Sequence, residues 1–129
     1  MTISTPTFRV LIVDDVPGNI KSLAEILKGK FQIFMATSGE KALEIVANQK
    51  IDLILLDIIM PEMDGYQVCS LLKSNPQTAP IPVIFVTAHT DSNDRAIGLA
   101  AGGAAFVSKP TSPPLLIETI NHHLSKQSH

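Results

Sequence analysis

The sequence is poor in aromatic side chains, in cysteine and in net charge. It has no Trp, one Tyr and one Cys, so no disulfide can form within the chain. The formal net charge is −2 and the pI is about 6.0, so the chain lacks the basic surface that nucleic-acid binding requires. These absences exclude a disulfide-bonded secreted scaffold and a basic nucleic-acid-binding domain.

Long apolar runs are also missing. No segment approaches the roughly 18 apolar residues of a membrane span, and residues 1–10 contain no basic region followed by an apolar stretch, as a signal peptide would. With 129 residues, 45% apolar and 17% charged, the chain has the size and composition of one globular domain. We therefore expect a single cytoplasmic domain over residues 1–129, with a core from about 8 to 124 and short polar termini.

Five short apolar runs recur along the chain, and segments with helical spacing separate them. The first, third and fourth runs are nearly continuous in Val, Ile and Leu, which suits strands covered on both faces. The alternation predicts right-handed βαβ units, and so an α/β fold with a doubly wound parallel sheet. The runs are RVLIVDD (9–15), FQIFMAT (31–37), IDLILLD (51–57), IPVIFVTA (81–88) and AAFVSKP (104–110).

Helix-start and helix-stop residues mark the segments between the runs. Pro17 stands where a first helix would begin and Gly29 just past its end. The stretch TSGE at 37–40 is typical of a capping box with Thr37 as the N-cap. Three further residues are predicted to start helices as N-caps: Asp64, Thr90 and Ser112.

Polar side chains stand at the carboxyl ends of four predicted strands. Asp14 and Asp15 end the first run, Asp57 the third, Thr87 the fourth and Lys109 the fifth. Ligands of open α/β sheets bind at this edge, where the strand order reverses. If these strands are neighbours, we expect the five side chains to converge in one shallow site.

Three converging carboxylates repel one another, at a cost of about 4 kcal/mol per pair for a 4 Å separation. They either raise one another's pKa or bind a cation. Oxygen ligands with open positions suit Mg²⁺, with Mn²⁺ as a substitute. Together with Lys109 and Thr87, the metal would neutralise an arriving phosphoryl group. The Asp57 carboxylate is then placed to attack phosphorus and form an aspartyl phosphate.

The order and spacing of four short motifs resemble the receiver domain of two-component response regulators, including the chemotaxis regulators. The resemblance extends from about Phe8 to Leu124. It implies a flavodoxin-like (βα)5 fold with strand order 2-1-3-4-5. The motifs are IVDD at 12–15, LLDIIMPEMDG at 55–65, VTA at 86–88 and VSKP at 107–110.

The resemblance implies a role for each matching residue. Asp57 is the expected phospho-acceptor and a metal ligand, Asp15 a direct Mg²⁺ ligand, and Asp14 a ligand mainly through water. The remaining implied roles are these: the Ile59 carbonyl as a further metal ligand, Thr87, the backbone of Ala88 and Lys109 as phosphoryl-binding groups, Thr87 and Phe106 as switch residues, and Lys109–Pro110 as a cis peptide bond.

Two residues are expected to set the lifetime of the phosphoryl group. Ile59, two residues after Asp57, has no polar side chain to orient an attacking water, which predicts slow loss. His89, two residues after Thr87, either positions water at the mouth of the site or is a solvated loop residue.

The resemblance implies a phosphorylation-activated switch of a phosphorelay and not an enzyme with an external substrate. Its expected partner is a histidine kinase or a histidine phosphotransfer protein, and its expected output surface is the face of helix 4, strand 5 and helix 5. GGAAF at 102–106 and Thr111 depart from the usual pattern on that face, which leaves the output partner open. The stretches at 14–19 and 109–116 resemble receivers linked to hybrid kinases or to cyclic-nucleotide signalling outputs. No contact with nucleic acid or membrane is expected.

Other functions fit the residues less well. An aspartyl-phosphate phosphatase of the haloacid-dehalogenase type needs a second aspartate two residues after the nucleophile, where this chain has Ile59. A flavodoxin-like cofactor binder needs a Gly/Ser/Thr-rich phosphate loop, and residues 14–19 carry two acids there. A phosphate-independent interaction domain on the same fold is the remaining alternative, and the complete acidic set argues against it.

The other reactive side chains are predicted to be structural. Met60, Met63 and Cys69 should pack as apolar groups. His122 and His123 are expected to be surface residues that point to different sides of the last helix.

Overall fold

The computed structural model describes residues 7–88 and 91–126. Strands and helices alternate five times, as the sequence predicted. The strands are β1 (Arg9–Val13), β2 (Gln32–Ala36), β3 (Leu53–Leu56), β4 (Val83–Thr87) and β5 (Ala105–Ser108). The helices are α1 (Pro17–Leu27), α2 (Gly39–Asn48), α3 (Gly65–Ser74), α4 (Ser92–Ala100) and α5 (Pro113–Lys126).

The sheet is parallel, with the strand order β2-β1-β3-β4-β5, so the predicted topology is confirmed. Strand addition reverses direction at β1, because β2 joins one side of it and β3 the other. Val13 and Leu56 are partners in the register of β1 and β3. The residues that follow them, Asp14 and Asp57, therefore leave the sheet side by side.

Helices cover both faces of the sheet, which explains why the central strands are apolar without alternation. Ile12 of β1 packs with Leu116 of α5 in one buried cluster. Its neighbour Leu11 points the other way and packs with Leu72 of α3 in the second cluster. Apart from Arg9 at the start of β1, the residues of β1, β3 and β4 are thus buried whichever face they point to, and these strands form a rigid platform.

Most helix boundaries follow the predicted punctuation. Pro17 is the first residue of α1, and Gly29 adopts φ = 81° just past its end, a conformation that favours glycine. Asp64 caps α3 in a complete capping box with Gln67, in which each side chain binds the other's backbone N–H. Ser112 directly precedes α5, and its carbonyl accepts the Leu116 N–H at 2.9 Å.

The N-cap predicted for α2 is wrong by one residue. Ser38, not Thr37, is the N-cap, and its hydroxyl accepts the Lys41 N–H at 3.1 Å. Glu40 then lies one position too early in the helix to complete a capping box. For α4, Asp91 is the N-cap, and the predicted cap Thr90 lies outside the described residues.

The remaining structural predictions concern side chains away from the strand ends. Cys69 and Met60 are buried in the apolar cluster between the sheet and α3, and Met63 packs against that cluster. His122 and His123 lie on the outer part of α5, but their rings do not diverge: they meet edge to face, with centroids 5.1 Å apart. No helix in the described part of the chain is long and apolar enough to cross a bilayer.

Candidate functional site

Three carboxylates meet at the carboxyl edge of the sheet. Asp14, Asp15 and Asp57 each offer an oxygen, and these oxygens lie within 4.8 Å of one another. Asp14 and Asp57 are brought together by the pairing of β1 with β3, and Asp15 follows Asp14 in the loop to α1. The structure thus gathers the three acids that the sequence pattern selected.

Asp14 is the buried member of the cluster, with 1% of its surface exposed. A buried carboxylate needs partners that replace its hydration. One oxygen, Oδ1, accepts the Val16 N–H at 2.9 Å, and the other, Oδ2, lies 2.7 Å from the Lys109 ammonium. The loop turn after β1 and the residue after β5 together hold this side chain.

Asp57 is fixed at both its backbone and its side chain. Its N–H donates to the Val13 carbonyl at 3.0 Å, which extends the β1–β3 pairing by one residue. Its Oδ1 accepts the Ile58 N–H at 2.8 Å, and its Oδ2 lies 3.3 Å from Lys109 Nζ. The carboxylate is 12% exposed, so it stands at a rigid strand end that solvent still reaches.

Gly65 packs closely against the backbone of Asp57 and Ile58. Its N–H donates to the Ile58 carbonyl at 2.7 Å. A Cβ on Gly65 would overlap the Asp57 carbonyl oxygen. No motif in the sequence marked this glycine for a role at the site, although the aspartate–glycine pair that starts α3 was a usable signal of a close backbone approach.

Lys109 pairs with two of the three acids. Burial alone would lower the pKa of Lys109, but its hydrogen bond to Asp14 and the charges of Asp57 and Asp14 outweigh burial and raise that pKa above its usual value. The lysine therefore stays an ammonium between the two carboxylates. The Lys109–Pro110 peptide bond that follows is cis.

Three other predicted site residues, Thr87, Ala88 and Ile59, stand at the ends of β4 and β3 or in the loops that follow them. Thr87 ends β4 and is fully buried, and its carbonyl accepts the Lys109 N–H at 3.0 Å. Ala88 follows it at the surface. Ile59 is 56% exposed in the loop after Asp57. His89 lies outside the described residues, so its place relative to the site stays a prediction.

Phe106 belongs to an aromatic cluster between the sheet and α4. Its ring lies 5.0 Å from that of Phe85, its partner in the β4–β5 register. The ring of Tyr66 in α3 also packs against Phe85, with centroids 5.7 Å apart, and its hydroxyl is 3.2 Å from both the backbone oxygen and Oδ1 of Asp94. Burial and the nearby Asp94 raise the pKa of Tyr66 to about 12. No motif in the sequence marked Tyr66 or Asp94.

The donor set fits a hard divalent cation. The acidic groups are carboxylates, which Mg²⁺ and similar cations prefer. Three of them face one ammonium, so negative charge is in excess at the site. Among the described residues, this is the one group of acids, histidines or cysteines close enough to share a metal ion.

Comparisons with known proteins agree with this arrangement. Residues 10–121 match the response regulator receiver domain family. A protein of Vibrio cholerae named "Probable cyclic di-GMP phosphodiesterase" is 46% identical over 118 residues, which are 92% of this chain and 27% of that protein. "Response regulator PleD" of Caulobacter vibrioides is 38% identical over 113 residues, 87% of this chain and 25% of that protein. The chain thus spans about a quarter of the length of these two relatives.

A solved structure extends the likeness to three dimensions. The signal receiver domain of a signal transduction histidine kinase from Syntrophus aciditrophicus is 33% identical and superposes with a TM-score of 0.88, covering 95% of this chain and 94% of that one. Because the family match covers most of the chain and the strand order agrees with it, the chain belongs to the receiver domains of two-component response regulators.

Proposed function

We propose that this receiver is a phosphorylation-activated switch in which Asp57 accepts a phosphoryl group from a histidine kinase or a histidine phosphotransfer protein. The observation that carries the proposal is the pairing of Lys109 with both Asp14 and Asp57 at the ends of adjacent strands. The domain, with its core at about 8 to 124, would catalyse only its own phosphorylation and dephosphorylation. It would do so in the cytoplasm, where its partner kinases act.

Asp57 is suited to be the nucleophile because its backbone is held by the sheet and by Gly65. Its carboxylate oxygen would attack phosphorus in line with the donor. A P–O bond to Asp57 forms while the P–N bond to the donor imidazole breaks, and that nitrogen keeps the electron pair. A nucleophile that is already placed loses little freedom in the transition state.

Asp14, Asp15, Asp57 and the carbonyl of Ile59 would hold Mg²⁺, or Mn²⁺ in its place. When bound, the cation supplies positive charge that offsets the clustered carboxylates and the equatorial phosphoryl oxygens. The excess of acidic groups over ammonium groups at the site supports this assignment.

Lys109 would exchange partners during the reaction. Its ammonium lies between two acids, and it would pair with a phosphoryl oxygen once Asp57 is modified. The Thr87 hydroxyl and the Ala88 N–H would bind the other oxygens. Movement of Thr87 and Phe106 would then shift the equilibrium of the face formed by α4, β5 and α5.

The surroundings of the site support a protein donor and a linked domain. A groove that includes Lys109 is lined by Leu23 and Ile26 of α1, Ala88 and Pro110, together with the polar side chains of Asn19, Ser22 and Thr111, and a donor helix would dock there. Two relatives are about three and a half times as long as this chain. We infer that an output or kinase domain is joined to this receiver in its full-length protein, and that activities such as phosphodiesterase action belong to that domain.

The proposal is tested with a small phosphodonor. Wild-type protein and Asp57→Asn are incubated with Mg²⁺ and acetyl phosphate, and the intact masses are measured. We expect one phosphoryl group on the wild type and none on Asp57→Asn. Equal labelling of both proteins would contradict the proposal. Turnover of an external phosphoester would indicate the phosphatase alternative, and no response in either protein would indicate a phosphate-independent interaction domain.

A further inference from the structure

The helix α4 is attached to the domain by few side chains. Gly98 is its only buried residue in the described structure. Ile97 and Leu99 of the same helix are 41% and 59% exposed. Helices in proteins gain most of their stability by burying an apolar face, so α4 must be held by contacts of another kind.

Phe106 lies against the buried point of α4. A Cβ on Gly98 would overlap the Phe106 ring, so the ring occupies the space that a side chain at position 98 would fill. The guanidinium carbon of Arg95, one turn earlier, lies 5.8 Å from the centre of the same ring. The position of α4 is therefore coupled to that of Phe106 by direct contact.

Tyr66 fixes the first turn of α4 to α3. Its hydroxyl is shared between the backbone oxygen and Oδ1 of Asp94, at 3.2 Å from each. The N–H of Asp94 is in turn bound by the Asp91 side chain at 2.8 Å. The tyrosine ring packs on Phe85, which packs on Phe106. Tyr66 thus reaches α4 by a hydrogen bond and Phe106 through an aromatic neighbour.

We propose that Tyr66 is a positioning residue for α4, and that its hydrogen bond to Asp94 stabilises the arrangement in which Lys109 pairs with Asp14 and Asp57. The inference rests on the proposed function, because it assumes that phosphorylation moves α4 and breaks this bond. A contact present in only one of two arrangements shifts their equilibrium by its own free energy. Loss of the bond should therefore favour the phosphorylated arrangement, by about fivefold for a hydrogen bond of ordinary strength.

Tyr66→Phe is the test, because it removes the hydroxyl and keeps the ring against Phe85. Amide hydrogen exchange over α4 should become about fivefold faster while exchange over α2 stays unchanged. With Mg²⁺ present, the beryllofluoride concentration for half-saturation should fall by a similar factor. Ser70→Ala, which removes an exposed hydroxyl from the same helix, is the matched control and should change neither measurement.

Substitutions of Asp94 examine the other side of the bond. Asp94→Asn keeps a side-chain acceptor and should behave as the wild type. Asp94→Ala leaves only the backbone oxygen and should show a smaller effect than Tyr66→Phe. Added to Tyr66→Phe, it should have no further effect, because the donor is already gone.

Three results would overturn the proposal. Unchanged α4 exchange in Tyr66→Phe would show that the bond does not hold the helix. Faster exchange with unchanged beryllofluoride affinity would show that the bond is not coupled to the site. Failure of the proposed function would be recognised separately, because wild type and Asp57→Asn would then respond to beryllofluoride alike. In that case no coupling between Tyr66 and the site exists, whether or not exchange over α4 becomes faster in Tyr66→Phe.

Discussion

At the scale of single residues, the site depends on partners that make buried charge tolerable. Asp14 is almost fully buried, and both of its oxygens have a donor. Asp57 keeps some solvent exposure and shares the same lysine. The ammonium of Lys109 is maintained because the two acids outweigh the effect of its burial on its pKa. Removal of Lys109 would leave the buried Asp14 carboxylate without its counter-charge.

Ile59 should slow the loss of the phosphoryl group. It is more than half exposed in the loop that follows Asp57, the proposed phospho-acceptor, and its side chain has no group that can orient water. In Ile59→Asn we expect loss after removal of the donor to be several-fold faster, measured by intact mass over time. Ile59→Val, which stays apolar, should decay as the wild type does. Slower decay in the Asn variant would refute this role.

Glu62 occupies a backbone conformation that suits glycine better. Its φ is 68°, in the left-handed region, which costs a residue with a Cβ on the order of 1 kcal/mol. Glycine would relieve this cost, but it loses more chain entropy on folding, which offsets part of the gain. Glu62→Gly should therefore stabilise the domain by about 0.5 kcal/mol net, measured by urea unfolding. Glu25→Gly, in an ordinary helical position of α1, should instead destabilise it by about 1 kcal/mol. A loss of stability in Glu62→Gly would contradict the argument.

At the scale of elements, helix starts place the loops that surround the site. The capping box of α3 joins Asp64 to Gln67. Gly65, the residue that follows Asp64, lies close against the backbone of Asp57. The start of α3 and the position of Asp57 are therefore linked. The cap of α2 was predicted one residue early because Thr37 and Ser38 are both good caps, and spacing to Glu40 alone favoured the wrong one.

Removal of the α3 cap should weaken the whole domain. Asp64→Ala deletes the acceptor for the Gln67 N–H, a bond of 2.9 Å. We expect the free energy of unfolding to fall by about 1 kcal/mol, measured by urea unfolding. Asp64→Ser, which keeps a capping oxygen, should lose much less. Equal losses in the two variants would mean that capping is not the cause.

At the scale of the whole molecule, two helix layers seal the central strands from water. The sheet separates two apolar clusters, and the cluster on the α3 side contains Cys69. The thiol is fully buried and lies 3.4 Å from the Ala101 carbonyl. It therefore reports on the integrity of packing on this side of the sheet.

Burial of Cys69 should make stability depend on alkaline pH. Burial raises the pKa of the thiol from 9.0 to about 11. A group whose pKa rises on folding contributes stability that is complete below its unfolded pKa and is lost as pH rises through the folded one. Between pH 8 and 10, the free energy of unfolding should thus fall more for the wild type than for Cys69→Ala. Tyr66 and the lysines are present in both proteins, so their contribution to the pH dependence is the same in each. Equal slopes would contradict this prediction, as would fast alkylation of the native thiol at pH 8.

The sequence by itself determined the fold class and the acids and lysine at the strand ends, whereas the strand order was implied only by the resemblance to a known family. Those features depend on local patterns: apolar runs set the strands, and the residue after each run must emerge at one edge of a parallel sheet. Only the tertiary structure decided which residues support the site from a distance. The contact of Gly65 with Asp57, the contact of Gly98 with the Phe106 ring and the bond from Tyr66 to Asp94 join segments up to 28 residues apart. Such contacts depend on how helices pack in space, which no local spacing in the chain specifies.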